Sequence, residues 1–160
     1  MPARMHAFYL RQMYLENNLR EPGGITLDGT PIDLGKVDVP SYFVSAKEDH
    51  IAPWLACYAG SRLLGGQTRF VLGGSGHIAG VINPPEKQKY GYWLNGRNPK
   101  DPEAWFNGAK HHEGSWWLDW ITWLAPKRGG EVPARTPGDG KLEPIEDAPG
   151  RYVKETANGG

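Results

Sequence analysis

The stretch Ser41–Gly80, SYFVSAKEDHIAPWLACYAGSRLLGGQTRFVLGGSGHIAG, carries the succession of elements from which the fold can be argued. Tyr42, Phe43 and Val44 form a short continuous apolar run, as expected of a strand buried in a parallel sheet. The following IAPWLACYAGSRLLGG (51–66) reads as a helix, with Pro53 in its first turn and a double glycine at its far end. TRFVL (68–72) is a second strand. Strand, helix and strand in succession predict an α/β sheet with parallel neighbours. Sheets of that class place ligands and chemistry at the carboxyl ends of their strands. Asp49 and His77 each fall just beyond a predicted strand, so the topology brings both to one edge. Gly73, Gly74 and Gly76 around His77 are expected to let the chain turn with positive φ and let other groups approach.

An imidazole exchanges protons near neutral pH, and a carboxylate bonded to one of its nitrogens sets tautomer and orientation. His77 and Asp49 supply those two roles, in the chain order acid then histidine found in hydrolase triads. A helix-capping Asp and a structural His satisfy the same spacing, so both readings stand at this point. His50 either supports the pair or caps its turn.

No nucleophile precedes them. Met1–Glu48 contains no cysteine and no Gly-x-Ser-x-Gly elbow. Ser75 has His77 where the elbow's second glycine belongs, and Cys57, between Leu55 and Tyr58 on the helix, reads as a small core hydrophobe. His111 and His112 lack a carboxylate or cysteine cluster to complete a metal site, and as neighbours on a helix they would face different ways. His6 suggests no role.

Outward from this centre, apolar spacing predicts a helix from Met5 to Leu19, ended by EPGG (21–24). Asp28-Gly29 marks a hairpin turn within ITLDGTPIDL. Pro84–Lys110 reads as a surface loop with at most short helical pieces, such as PEAWFNGAK. In GSWWLDWITWL, Trp116, Trp120, Trp123 and Leu124 recur at helical spacing with Trp117 off the stripe. That pattern predicts a helix packed on a core, with part of the stripe open to an interface or an apolar polymer. Residues 1–125 form one domain and 126–160 a Gly/Pro/charged tail, extended or disordered.

The chain of 160 residues carries 18 basic and 18 acidic side chains, so overall charge points to neither nucleic acid nor an anionic membrane. One cysteine forms no intramolecular disulfide, no apolar run approaches the roughly 20 residues of a membrane span, and the N-terminus lacks an export signal's apolar core. A cytoplasmic protein is expected.

KVDVPSYFVSAKEDHIAPW, RFVLGGSGHIAGVINPP, HHEGSWWLDWITWL and PIEDAPGRYVK together resemble the C-terminal part of a class I polyhydroxyalkanoate synthase. The resemblance covers nearly the whole chain, from FYLRQMYLENNL to APGRYVK. It implies the C-terminal portion of an α/β-hydrolase fold with an incomplete sheet, and a Cys-Asp-His triad. It also implies polymerisation of (R)-3-hydroxyacyl-CoA, 3-hydroxybutyryl-CoA from the PGRYVK ending, into polyester with release of CoA. Asp49 would be the triad acid and His77 the base, while the family's cysteine lies upstream of Met1 and Cys57 does not match it. The chain is thus expected to be the last quarter or third of a synthase, inactive alone. Implied partners are the CoA thioester, the growing polyester, a granule surface in the cytoplasm and a second subunit; no metal or organic cofactor is implied. A polyester depolymerase or thioesterase, and a non-catalytic granule-binding or dimerisation fragment, are the alternatives.

Overall fold

The structure, a computed structural model, describes residues 1–156. The chain divides into Met1–Pro126 and the segment from Lys127 onward. Strand β3 (Ser41–Ala46) runs parallel to β4 (Thr68–Gly73), in register from Ser41 opposite Thr68 to Ala46 opposite Gly73. Helix α2 (Trp54–Ser61) joins them, as the sequence pattern predicts. Pro53 sits just ahead of that helix, at φ −53° and ψ 129°, instead of inside its first turn. Its ring presets the turn without removing an intrahelical donor. Earlier in the chain, β1 (Ile25–Leu27) and β2 (Thr30–Ile32) form the expected hairpin. Asp28 and Gly29 at its tip have φ of 46° and 76°, the paired positive values of a primed turn.

One prediction, the parallel sheet, holds only for β3 and β4, and another, the surface loop, fails, for a common reason. The sheet is mixed, in the order β3-β4-β5-β6, because β5 (Tyr92–Leu94) and β6 (Lys110–His112) add to it antiparallel. Both lie in the stretch read as loop or at its end. Three-residue strands are too short to show alternation; partners define them, Val71 opposite Leu94 and Tyr92 opposite His112. Helix α3 (Pro102–Asn107) is the short helical piece foreseen there, capped by Asp101 Oδ1 and Oδ2, which accept from Glu103 N and Ala104 N.

Period-two alternation along β4 sends its side chains to two cores. Phe70 and Leu72 pack with Tyr58 of α2 and Trp105 of α3, while Val71 packs with Tyr92 and Trp116 on the opposite face. Helix α4 (Trp117–Leu124) lies over that second face. Asp119 ties it there, accepting from Tyr42 Oη at 2.8 Å and from the Arg69 guanidinium through Nε at 2.8 Å and Nη2. Burial, together with the Asp119 carboxylate, pushes the Tyr42 phenol well above the ordinary tyrosine range. Trp116 is buried as the stripe predicts, yet Trp120 of the same stripe is 39% exposed. Trp117, off the stripe, is half-buried and donates from Nε1 to Val81 O at 3.0 Å. A helix one turn from a loop is held by its polar indole edges as well as by its apolar stripe.

The N-terminal helix is also broken. An α-helix α1 (Ala3–Tyr9) passes into a π-helical turn Leu10–Leu15 and a 3-10 turn Asn18–Arg20. Asn18 donates from Nδ2 to Gln12 and Glu16, and Asn17 takes φ 51°, which ends regular helix before Leu19. A 3-10 turn at Ala125–Lys127 runs into the second unit, and beyond it the described residues hold one more, Tyr152–Lys154, and otherwise irregular backbone. Residues 157–160 of the predicted tail lie outside the described residues.

Candidate active site at the ends of two parallel strands

β3 ends at Ala46, and Asp49 lies three residues on. Its Oδ1 accepts from the backbone N–H groups of Ile51 and Ala52, both at 2.9 Å, and so organises the turn into Pro53 and α2. Its Oδ2 stands 2.8 Å from His77 Nδ1. The capping and site readings of Asp49 are therefore compatible, because each carboxylate oxygen serves one of them. The Asp49 side chain is 7% exposed and that of His77 44%. A carboxylate held by backbone donors and an imidazole orients the ring, while the ring stays within reach of solvent or a substrate.

The bond from Ala52 N–H, with those from His77 and Ile51, holds the Asp49 carboxyl down at about 2 against the opposing effect of burial. Ionised Asp49 favours Nδ1–H on His77, which leaves Nε2 as the nitrogen able to take a proton. A consequence for stability follows with a definite sign. A group whose pKa is depressed on folding stabilises the fold above its unfolded value, about 3.9, and loses that contribution as pH falls through the folded value. The stability gap between the wild-type chain and Asp49→Asn is expected to narrow as pH drops from about 4 to about 2. Urea melts at several pH values read it; a gap that widens over that range would contradict the assignment.

The glycines around His77 behave otherwise than expected. None of Gly73, Gly74 and Gly76 has a positive φ; the residue that does is Ser75, at 69°. What Gly73 and Gly74 provide is close approach. A Cβ on Gly74 would lie 2.2 Å from Tyr90 O, and one on Gly73 would lie 2.8 Å from Gly80 O. The parallel ladder continues past the strands through Lys47 N to Gly73 O at 2.8 Å and Glu48 N to Ser75 O at 3.0 Å. These bonds join the turn bearing Asp49 to the turn bearing His77.

His50 is exposed, and neither member of the pair hydrogen-bonds to it among the described residues. Cys57 is half-buried against the Tyr58, Phe70, Leu72 and Trp105 core, with Sγ 3.6 Å from Ala52 O. His111 and His112 lie on a strand, not a helix; His111 rests on Trp93 and approaches Glu113, while the His112 ring stacks on Tyr92 at 5.1 Å. Among the described residues no group of three His, Cys, Asp or Glu side chains could hold a metal ion. His6 is exposed on α1.

Sequence reasoning did not find a cavity of about 340 Å3 beside the pair, lined by Lys47, Glu48, Gly74, Ser75, Tyr90 and Trp93. Lys47 Nζ lies 4.6 Å from the centre of the Trp93 ring and 4.7 Å from that of Phe106. The signal is absent locally because the walls come from turns far apart in the chain. A larger cavity, about 470 Å3, is walled by the segment from Asn95 to Pro99 with Ala104 and Gly108, and no residue of the Asp49 and His77 turns lines it.

No known family profile matches the chain. Individual proteins do. It is 50% identical over 159 residues to the poly(3-hydroxyalkanoate) polymerase subunit PhaC of Cupriavidus necator, a match covering 98% of this chain and 27% of that protein. Identity to the corresponding Rhizobium meliloti subunit is 49% over 157 residues, covering 98% of this chain and 25% of the relative. Poly(3-hydroxyalkanoate) polymerase 1 of Ectopseudomonas oleovorans is 39% identical over 158 residues, 97% of this chain and 28% of its own length. The chain thus spans about a quarter of the length of these curated relatives.

Proposed function

Taking the chain as a relative of the poly(3-hydroxyalkanoate) polymerases, with about a quarter of their length in common, we propose that Asp49 and His77 are the acid and base of a thiol-dependent polyester synthesis. The observation that carries the reading is the 2.8 Å bond between His77 Nδ1 and the Asp49 carboxylate, made at the carboxyl ends of parallel strands. The substrate is an (R)-3-hydroxyacyl-CoA, with 3-hydroxybutyryl-CoA as the first choice.

His77 Nε2 takes the proton of a cysteine thiol, and the thiolate attacks the thioester carbonyl. The bond from carbonyl carbon to CoA sulfur breaks, and CoA leaves with the proton that His77 returns. In elongation His77 takes the proton from a 3-hydroxyl, whose oxygen then attacks the enzyme-bound acyl thioester. The C–S bond breaks, a C–O ester bond forms, and the cysteine sulfur regains its proton. Asp49 orients the ring throughout and offsets its positive charge whenever it carries the second proton.

The thiol in this reading is not Cys57, which sits in the α2 core. It comes from polymerase sequence beyond the quarter in common, carried by an α/β-hydrolase sheet continued at β3. That reading is supported by β3 standing at the end of the sheet order, with its outer edge unpaired among the described residues. Granule contact and pairing of subunits belong to the same reading. No helix among the described residues is long and apolar enough to cross a membrane.

The test expresses the gene product as it occurs and supplies (R)-3-hydroxybutyryl-CoA, following free thiol and the acyl product. CoA release with polymer is the expected result. Free 3-hydroxybutyrate would make the protein a hydrolase. Neither product from the native polypeptide would remove the catalytic reading in favour of a binding role.

A further inference from the structure

Positive φ in the run Gly73-Gly74-Ser75-Gly76 falls on the one residue that is not glycine. Serine enters the left-handed region infrequently, and such a residue persists where its surroundings over-determine it. The surroundings here are specific. Gly74 is wedged against the Tyr90 carbonyl, and its N–H bonds to Gly91 O at 2.9 Å. At the far end of the His77 turn, Gly80 packs so closely that a Cβ there would lie 2.6 Å from the Ala46 Cβ. Gly80 N–H bonds to Gly76 O at 2.8 Å, and Trp116 Nε1 donates to Gly80 O at 3.1 Å. With both ends of the turn pinned, the change of direction is taken up at Ser75.

We propose that the left-handed backbone at Ser75, and not its hydroxyl, is a positioning device for the Asp49–His77 pair. It aims the Ser75 carbonyl at the N–H of Glu48, the residue before Asp49, at 3.0 Å. Ser75 stands two residues before His77, so this bond, the nearer to His77 of the two that join the turns, holds the separation of Asp49 from His77 and with it the bond between the side chains. The inference rests on the reading of Asp49 and His77 as a working pair, and it adds a residue that touches neither reacting atom.

Three variants of the full chain separate backbone from hydroxyl. Ser75→Gly and Ser75→Asn accept positive φ, whereas Ser75→Thr keeps a hydroxyl but adds a branch that this conformation disfavours. Asp49→Asn is the control. Histidine 15N spectra report which ring nitrogen of His77 carries the proton, and amide exchange reports the bond from Glu48 N–H.

In Ser75→Gly and Ser75→Asn, His77 is expected to keep its Nδ1 proton and the Glu48 amide its protection. In Ser75→Thr that protection falls by about tenfold or more and both tautomers of His77 are seen. If Thr prevents folding, Ser75→Ala replaces it, with less protection than Ser75→Gly expected. Unchanged spectra and protection in the Thr variant, or equal protection in the Ala and Gly variants, overturn the proposal. Loss in the Gly variant as large as in Thr also overturns it, because glycine accepts the left-handed conformation freely and that conformation would then not decide the geometry of the pair. In Asp49→Asn the His77 proton is expected to move to Nε2. An unchanged His77 there would overturn the pair itself and this proposal with it, whereas a responsive Asp49→Asn with an unresponsive Ser75→Thr overturns the positioning role alone.

Discussion

His77→Gln, made in the gene product as it occurs, is expected to lower CoA release from (R)-3-hydroxybutyryl-CoA by about 100- to 10,000-fold, the usual span for loss of a positioned general base. Glutamine preserves much of the side chain's length and puts an uncharged amide near the position of Nε2. It cannot accept a proton from a thiol at neutral pH. The loss should fall on kcat, because the ring acts on protons in flight and contributes little to holding the CoA end of the substrate. The measurement is the initial rate of thiol release over a range of substrate concentrations. Activity within tenfold of wild type would mean that some other group is the base, and the 2.8 Å bond to Asp49 would revert to a structural contact.

Trp105→Ala has the largest expected effect on the fold, a loss of about 3–5 kcal/mol in urea unfolding. Trp105 is 0% exposed. Its ring meets Phe70 edge-on at 5.1 Å and Tyr58 at 5.6 Å, with Trp54 at 6.4 Å. Truncation removes the common neighbour of α2, α3 and β4 and opens a cavity that three surrounding aromatic rings cannot collapse to fill. A domain of this size has only about 5–15 kcal/mol in all, so the variant is expected to melt well below the parent. A loss under about 1 kcal/mol would show that the α3 side of the sheet contributes little to the cooperative unit.

Why Trp105 escapes a reading of the sequence is instructive. It sits in PEAWFNGAK, between polar and glycine-rich segments, where no periodicity marks it as a core residue. The core that buries it is flanked by Trp93 of β5, and β5 exists only because β4 offers Leu72 and Gly73 for pairing. Short antiparallel strands depend on their partner, so local pattern is silent about them. The same holds for the cavity beside Ser75: Lys47 from the turn after β3 and Trp93 from β5 meet there, far apart in the chain.

His77 and Asp49 are legible for the opposite reason. Each follows a strand whose apolar run is local, the helix between those strands has local start and stop signals, and parallel pairing then brings their carboxyl ends together. The glycines nearby are half legible. Their presence announces crowded backbone, but the strained φ belongs to Ser75, a residue with no such signature.

What the sequence alone determined is the parallel β3-α2-β4 unit, the hairpin at Asp28-Gly29, a helix within GSWWLDWITWL and the approach of Asp49 to His77. Each follows from apolar periodicity, turn chemistry or strand order, which act over a few residues or through a single crossover. Tertiary structure alone decided the antiparallel strands β5 and β6, the burial of Trp105, the Tyr42–Arg69–Asp119 contact and the left-handed turn at Ser75. Those depend on groups brought together from distant parts of the chain, and their energies arise only once the partner surfaces are in place.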